Sequence, residues 1–248
     1  MPIVTYCADA SIGRITISRP ERRNALNHRA LDEMHEAVRS AAQDGLRALV
    51  LSGDEGQFCS GADLKELEDL AFTRALRRVL DDLAGLPFPT IAAISGACMG
   101  LGMQLAMSCD LRLATPESRF AVPVAKLGLM VDHWTVQRLA LLAGHSTARW
   151  MLLTAQQLTA ERAHEVGLVH QIVGGLDEVQ DLAAEISRLA PLAVAGSKLG
   201  LDLLERPSSQ VDPDDAYLAA FTTAWASDDL VEGRLAFTDR RAAQFQGR

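Results

Sequence analysis

Two glycine-containing turns carry the groups of this sequence that are best suited to bind a negatively charged oxygen. The first spans residues 58–65 (FCSGADLK) and the second residues 94–104 (ISGACMGLGMQ). Each follows a stretch typical of a strand and leads into a stretch typical of a helix. Backbone N–H groups at a helix start have no partner within the helix, so two converging starts would bind the oxygen of a thioester or its enolate. The alternative is that the glycines only permit tight turns.

The composition excludes several other classes of protein. The 248 residues include 24 basic and 32 acidic side chains, a formal net charge of −8, and no basic run is longer than two residues. Nucleic-acid binders normally show a basic stripe, so we expect no nucleic-acid partner. An anionic ligand would need a local patch of Lys or Arg. The length supports one large domain or two small ones, with a core that needs no metal or disulfide.

Cysteine spacing and the apolar segments predict a cytoplasmic protein. No CxxC motif is present, which predicts reduced thiols packed as small apolar side chains at Cys7, Cys59, Cys98 and Cys109. The first residues lack the basic and apolar regions of a secretory signal, so we expect none. Residues 83–109 carry no charge. Prolines and glycines interrupt this stretch, so we predict a buried strand, a turn and a buried helix rather than a membrane span.

Strands and helices alternate up to about residue 115 and would position the two turns. Apolar patterning predicts strands at residues 12–17, 46–51, 90–95 and 110–114. Helical periodicity predicts helices from Leu31 to Ala42 and over residues 65–83 and 104–108, with a turn over 96–102. This alternation is typical of an α/β layer with right-handed crossovers.

From Trp134 onward the pattern becomes helical. One small strand is predicted near residues 169–173, among helices over residues 134–143, 146–154, 159–166, 176–190, 191–206, 214–226 and 228–243. We therefore divide the chain into an α/β core over residues 1–190 and a C-terminal helical region over residues 191–248. Helical tails of this kind often trimerise or cover a neighbour's ligand.

Several ordered motifs resemble the enoyl-CoA hydratase/isomerase family, the crotonases. They are RPERRNALN (19–27), FCSGADL (58–64), LAMSCD (105–110) and Gly128-Leu129 followed by Gln137-Arg138-Leu139. The likeness runs from about residue 3 to residue 245 and includes a last segment from Glu232-Gly233 to Phe245. It implies the crotonase fold: an α/β, ββα-superhelix core with a C-terminal helical trimerisation region. It also implies a homotrimer or hexamer and a coenzyme A thioester as ligand, with no metal and no further cofactor.

The resemblance assigns roles to individual positions. Ala62 and Leu101 would donate the two N–H groups of an oxyanion hole, although many relatives have glycine where Leu101 stands. The coenzyme A nucleotide, its pantetheine arm and their groove would involve Arg22, Arg23, Ala25, Asp63, Leu64 and Lys65. A basic pair on an acidic chain suits a triply phosphorylated ligand. Alternatively, the two arginines and the lysine form only a solvated surface.

Two departures from the family pattern bear on catalysis. Family hydratases use two glutamates that share the water and exchange protons with the α-carbon, whereas these positions hold Gln104 and, after Pro123, Val124. A glutamine amide orients a water but does not take its proton at neutral pH, and valine has no polar atom. Each acid or base contributes about 10²–10⁴ in rate. We therefore expect a protein that binds long-chain fatty acyl-CoA thioesters without efficient hydratase activity.

Asp132 offers an alternative acid or base. It stands four residues after Gly128, where it resembles the acidic residue of the dienoyl-CoA isomerase branch. An active hydratase or isomerase of fatty acid metabolism would use it to move protons. Otherwise Asp132 or Thr135 caps the helix that opens at Trp134, and His133 is a loop histidine.

Apolar residues near Trp134 predict the acyl end of the groove. Together with Pro123, Val124 and the apolar residues near them, the Trp134 indole would form a wall for a long hydrocarbon chain. Each CH₂ buried against this wall would contribute roughly 0.8 kcal/mol to the binding free energy. Alternatively, Trp134 is ordinary core between helices.

A third functional hypothesis is a scaffold that passes acyl-CoA to partner enzymes of lipid biosynthesis or degradation.

Overall fold

The computed structural model describes residues 1–64, 70–189, 191–205, 222, 225–241 and 243–244. Lys65 and almost all of the predicted helix over 214–226 lie outside these residues. The chain forms two compact units. The first consists of Met1–Phe120 and Leu158–Glu205, and the second of Ala121–Gln157 and Arg206–Arg248. The division after residue 190 that we drew from the sequence stays a prediction.

The strands within the described residues are β1 (Val4–Asp9), β2 (Ile12–Ile17), β3 (Ala48–Gly53), β4 (Thr90–Ile94), β5 (Ala97–Met99), β6 (Leu111–Ala114), β7 (Arg119–Ala121), β8 (Leu158–Thr159) and β9 (Gln171–Ile172). Six of them form one sheet in the order β1-β2-β3-β4-β6-β9. β1 pairs with β2 in the antiparallel sense, and the other neighbours in this sheet are parallel. A smaller sheet has the order β5-β7-β8.

The helices in the same residues are α1 (His28–Gln43), α2 (Leu70–Ala84), α3 (Leu101–Ser108), α4 (His133–Thr154), α5 (Ala160–Glu165), α6 (Asp177–Ser187), α7 (Pro191–Glu205) and α8 (Asp228–Asp239). Two short 3₁₀ helices span Pro20–Arg22 and Pro123–Leu127. Within this described part of the chain, no helix is long and apolar enough to cross a membrane.

The parallel layer has the burial that its sequence predicts. β2 alternates between buried and half-buried residues, and all five residues of β4 are buried, because β4 lies between two neighbours and is covered on both faces. Part of the core is an aliphatic cluster in which strand residues pack with α6, formed by Val50, Ile91, Ala93, Leu113 and Val179. The predicted α/β layer is confirmed.

The sequence pattern misses the edge strand β1, and two local predictions are wrong. β1 was not predicted, since it is an edge strand whose residues are mostly exposed and which depends on pairing with β2. Residues 96–102 are not a simple turn, because they contain β5 and the first residues of α3. α3 begins at Leu101 rather than Gln104, because Gly100 has φ 51° and ψ −110° and turns the chain directly into the helix.

The helical predictions after Trp134 agree better with the structure. α4 contains a non-helical residue, Gly144, with φ 77° and ψ 151°. This break falls between the two helices predicted over 134–143 and 146–154. α6 and α8 end a few residues earlier than predicted, because helix ends fray and apolar periodicity does not mark the last turn.

A buried arginine on β6 joins the end of α3 to the segment that precedes β9. Arg112 is 2% exposed. Its Nε donates to the Leu168 carbonyl at 2.7 Å, and its Nη1 donates to the carbonyls of Cys109 at 2.7 Å and Ala106 at 3.4 Å. The guanidinium therefore donates hydrogen bonds to carbonyl groups at the C-terminal end of α3, which have no amide partner within the helix.

We expect Arg112→Met to lower the free energy of unfolding by about 3–5 kcal/mol, because it leaves three buried carbonyl oxygens without this donor. Urea denaturation measures the loss. Arg162→Met is the matched control, since that arginine is exposed and pairs with Glu165 on the surface of α5. The control should change stability by less than about 1 kcal/mol. An equally small change for Arg112→Met would show that its carbonyl bonds are unimportant.

The four thiols are free, but only three are buried. Cys59, Cys98 and Cys109 lie in the core, whereas Cys7 is exposed on the edge strand β1. The expectation that all four pack as apolar side chains is therefore wrong for Cys7, whose outward face the sheet leaves uncovered. Burial raises the pKa of the Cys59 and Cys109 thiols to about 12 in each case, and raises the pKa of Cys98 as well.

We expect a thiol reagent such as DTNB to modify one cysteine rapidly in the folded protein, because buried thiols are both inaccessible and protonated. Absorbance should report one equivalent at first and four after denaturation. Cys7→Ser should remove the fast phase. Fast labelling of that variant would contradict the burial of the other three thiols.

Candidate functional site

The first glycine turn is held by the chain that precedes α1. Leu26 N donates to Gly61 O at 2.9 Å, and Asp63 N donates to Leu26 O at 2.8 Å, which makes Leu26 and Ala62 a parallel bridge pair. In a parallel bridge, one residue uses both its N–H and its carbonyl, and their partners are the two residues that flank the opposite residue. The N–H of Ala62 therefore points to the side away from Leu26.

The second turn pairs with the first. Cys59 N donates to Ala97 O at 2.8 Å, and Met99 N donates to Cys59 O at 3.0 Å, so Cys59 and Cys98 form a second parallel bridge. Leu101 then opens α3 as its first residue. Its N–H has no carbonyl one turn earlier within the helix, as at every helix start.

Glycines let these two turns approach closely. A Cβ on Gly102 would lie 2.3 Å from Cys59 O, so the residue after Leu101 has to be glycine. A Cβ on Gly61, where φ is 116°, would lie 3.2 Å from Met99 O and 4.0 Å from Leu101 N. The residue before Ala62 thus lies against the first amide of α3, and the structure brings the two predicted turns together.

Gln104 occupies the first turn of α3. It is 9% exposed, and its backbone N donates to Gly100 O at 3.2 Å. The first turn of this helix carries no acidic residue. The side chain that follows the Leu101 amide by one turn is therefore a buried neutral amide, which orients a polar group without accepting a proton at neutral pH.

The two arginines are exposed, but their backbone is tied to the first turn. Ser60 N donates to Arg23 O, and Ser60 Oγ donates to Arg22 O, both at 3.1 Å. Ala25 is buried and Leu64 is half-buried. Both guanidinium groups therefore extend from a loop whose main chain is bonded within two residues of Ala62.

The side chain of Asp63 is held by an arginine of the preceding loop. Its carboxylate is 7% exposed and lies 2.9 Å from Arg19 Nη1. Arg19 Nη1 also donates to Ala25 O at 3.2 Å. The Asp63 side chain therefore forms a largely buried ion pair that joins the first turn to the preceding loop, and its predicted contact with a ligand stays untested.

Two residues of this loop were missed by sequence reasoning. Arg19 forms the ion pair, and Asn24 is fully buried, accepting from Arg19 N at 2.8 Å and donating to the carbonyls of Asp54 and Gln57. Their only sequence signal is their place in RPERRNALN. Polar side chains that bond to main chain of distant segments leave no periodicity that would reveal them.

Other predicted residues belong to the second unit. Pro123 and Val124 are half-buried at the start of the 3₁₀ helix over Pro123–Leu127. α8 supports this helix, since a Cβ on Gly233 would lie 2.1 Å from Leu127 O. The backbones of α8 and the 3₁₀ helix are thus in direct contact.

Asp132 caps α4. Its carboxylate accepts from Thr135 N at 3.1 Å and from the Thr135 hydroxyl. The capping alternative is therefore confirmed, while a role as acid or base stays a prediction. His133 is an exposed first residue of α4 rather than a loop histidine, because the cap precedes it directly. Trp134 is half-buried.

Metal ligation receives no support from this geometry. In the part of the chain that the structure describes, no three His, Cys, Asp or Glu side chains lie close enough to hold a metal ion.

Comparison with known proteins places the chain in a family. The enoyl-CoA hydratase/isomerase family model matches residues 8–248. A Mycobacterium tuberculosis protein named probable enoyl-CoA hydratase echA6 is 41% identical over 234 residues, which cover 94% of this chain and 95% of that protein. The Homo sapiens protein named enoyl-CoA hydratase domain-containing protein 2, mitochondrial, is 33% identical over 97% of this chain and 87% of its own length.

Solved structures agree with this placement. Methylmalonyl-CoA decarboxylase in complex with 2-nitronate-propionyl-CoA has a TM-score of 0.90 at 25% identity, covering 99% of both chains. An enoyl-CoA hydratase/carnithine racemase from Magnetospirillum magneticum has a TM-score of 0.80 at 29% identity, covering 100% of this chain and 97% of that one. The chain has the crotonase fold and belongs to the enoyl-CoA hydratase/isomerase family.

Proposed function

We propose that this protein binds long-chain fatty acyl-CoA thioesters through an oxyanion hole made by the N–H groups of Ala62 and Leu101, without efficient hydratase activity. The observation that carries the proposal is the contact between the two glycine turns, in which Gly61 packs against the first amide of α3. The names of the relatives support a coenzyme A thioester as ligand. One solved structure with the same fold, methylmalonyl-CoA decarboxylase, is a complex with a coenzyme A derivative, 2-nitronate-propionyl-CoA.

Two backbone N–H groups polarise a thioester carbonyl by hydrogen bonding to its oxygen. Negative charge increases on this oxygen when the α-carbon loses a proton, and fixed donors stabilise that charge without reorganising. The N-terminal end of α3 adds a partial positive charge on the Leu101 side. The bonds between Cys59 and the β5 backbone keep both turns in place before a ligand arrives.

The rest of the proposed ligand has matching chemistry along the chain. The exposed guanidinium groups of Arg22 and Arg23 would attract phosphates, and arginine forms bidentate bonds to phosphate oxygens. Ala25, Leu64 and Lys65 would line the pantetheine arm. For the acyl chain we assign the apolar residues Pro123, Val124 and Trp134.

Proton transfer is the step that this site is poorly equipped to perform. Hydration requires a base that takes a proton from water and an acid that returns one to the α-carbon. Gln104 and Val124, at the family's glutamate positions, supply neither. Without them we expect the carbonyl to be bound and polarised while hydration is slowed by about 10⁴ or more.

Self-association is part of the proposal. On α8, Val231, Leu235 and Phe237 are each more than half exposed. Exposed apolar residues on one helix are typical of a surface that a partner covers. A homotrimer or hexamer would bury them, and transfer of acyl-CoA to enzymes of lipid biosynthesis or degradation stays a prediction.

We expect calorimetry to show binding of hexadecanoyl-CoA, with affinity falling about fourfold for each CH₂ removed from the chain (~0.8 kcal/mol). The absorbance of trans-2-hexadecenoyl-CoA should meanwhile decay no faster than it does without protein. Efficient hydration would contradict the proposal. In that case Asp132→Asn decides the alternative, because asparagine keeps the helix cap but removes the acid. An unchanged rate would exclude Asp132.

We expect the double variant Gln104→Glu/Val124→Glu to hydrate the same thioester at least about tenfold faster than the wild-type protein, since it restores two proton-transfer groups. Gln104→Met with Val124→Met is the control, because it changes the side chains without adding an acid. A double glutamate variant that binds the thioester but hydrates no faster would show that something other than these two positions limits the reaction.

A further inference from the structure

We propose that Asn24 is a positioning residue that holds the Ala62 amide in place and so sets how strongly the site polarises a thioester carbonyl. The inference rests on the proposed function, because it assumes that Ala62 N–H donates to the ligand. It concerns a side chain that is fully buried and to which the family resemblance assigned no role.

The side-chain amide of Asn24 makes three hydrogen bonds, which join two segments of the chain. Its Oδ1 accepts from Arg19 N at 2.8 Å. Its Nδ2 donates both hydrogens, to Asp54 O at 3.0 Å and to Gln57 O at 2.5 Å. One amide thus connects the loop before α1 with the segment that leads from β3 into the first glycine turn.

The backbone at this point has an uncommon shape. Arg23 and Asn24 both have positive φ, at 49° and 58°. Asparagine tolerates this left-handed region better than most residues, because its short polar side chain bonds locally. The resulting turn directs the carbonyls of Arg22 and Arg23 toward Ser60, whose hydroxyl and N–H donate to them.

The bonds on either side of Ala62 originate in the same loop. Leu26, two residues after Asn24, bonds to the residues that flank Ala62, at 2.9 Å and 2.8 Å. The Asp63 carboxylate is paired with Arg19, whose own N–H donates to Asn24. The direction of the Ala62 N–H therefore depends on the loop conformation that Asn24 stabilises.

Asn24 also influences the second turn through Gln57. The Gln57 carbonyl accepts from Asn24, while its Oε1 accepts from Ala97 N at 3.1 Å. Ala97 is the first residue of β5, which leads to Gly100 and Leu101. A single buried amide thus supports the backbone of both proposed donors.

Loss of this amide should weaken one part of ligand recognition selectively. Hydrogen bonds prefer a donor angle above about 150° and weaken steeply below about 120°, so turning the Ala62 N–H out of line with the carbonyl oxygen reduces its polarisation. The exposed guanidinium groups of Arg22 and Arg23 remain available to phosphates. Free coenzyme A, which has no acyl carbonyl, should therefore lose less affinity than an acyl thioester.

The test is infrared spectroscopy of hexadecanoyl-CoA labelled with ¹³C at the thioester carbonyl. In the wild-type protein, binding should lower the carbonyl stretching frequency. Asn24→Asp keeps the shape but sets an acceptor against two carbonyls, and Asn24→Gly keeps the left-handed φ without the side chain. Both should lose most of the shift and reduce the preference for the thioester over free coenzyme A by about tenfold.

Asn27→Asp is the matched control. Asn27 lies in the same motif and caps α1, where its side chain accepts from Ala30 N at 3.0 Å. Aspartate caps a helix equally well, so this variant should keep the full carbonyl shift. Comparing Asn24→Asp with Asn27→Asp thus separates an effect on the position of Ala62 from a general effect of the added negative charge.

The outcomes separate the two proposals. A full carbonyl shift in folded Asn24→Asp and Asn24→Gly would overturn the role of Asn24. Absence of a shift in the wild-type protein would overturn the oxyanion hole itself. If neither Asn24 variant folds, Asn24→Ser, which keeps a short polar group, is compared with Ser60→Ala, which removes one tether to the same loop. An unchanged shift in both would equally overturn the positioning role.

Discussion

The candidate site depends on two turns whose backbones touch with no side chain between them. Gly102 lies against the carbonyl of Cys59 and Gly61 against that of Met99, at distances that leave little or no room for a Cβ. The position of the two proposed donors relative to each other depends on this contact. The contact brings the segment that carries Ala62 beside the start of α3. The polar groups at this place are main-chain amides, and hydrogen bonds to β5 hold their backbone in position.

Electrostatic stabilisation and proton transfer are separable functions in the site that we propose, because they depend on different chemical groups. The amide donors come from the backbone and persist through most side-chain substitutions, provided that the glycines stay. Proton transfer depends on the identity of individual side chains. Gln104 follows the Leu101 amide by one turn and is neutral. In the proposed site, this helix would offer a donor to a developing negative charge without an acid or base in its first turn.

Buried polar side chains fix the positions of the surrounding segments relative to one another. Hydrophobic packing alone is not directional and would allow these segments to shift. Arg112 donates to carbonyls at the end of α3, and Asn24 joins the loop before α1 to the segment after β3. Lys198 on α7 reaches Asp110 at 2.7 Å, and that carboxylate also accepts from the N–H and hydroxyl of Thr90. These bonds are directional and costly to leave unmade, so they fix register as well as contribute stability.

The sequence by itself determined the α/β class, the strand at 12–17, the two helices on either side of Gly144, and the presence of glycine-dependent bends near residues 61 and 100. Periodicity and glycine placement are local signals, and they act within one element. Tertiary structure alone decided that β1 and β5 are strands, that α3 starts at Leu101, that Cys7 is exposed, and that Asn24 and Arg112 bond across segments. These outcomes depend on partners far away along the chain, because a backbone amide or a buried guanidinium finds its acceptor only after the chain has folded.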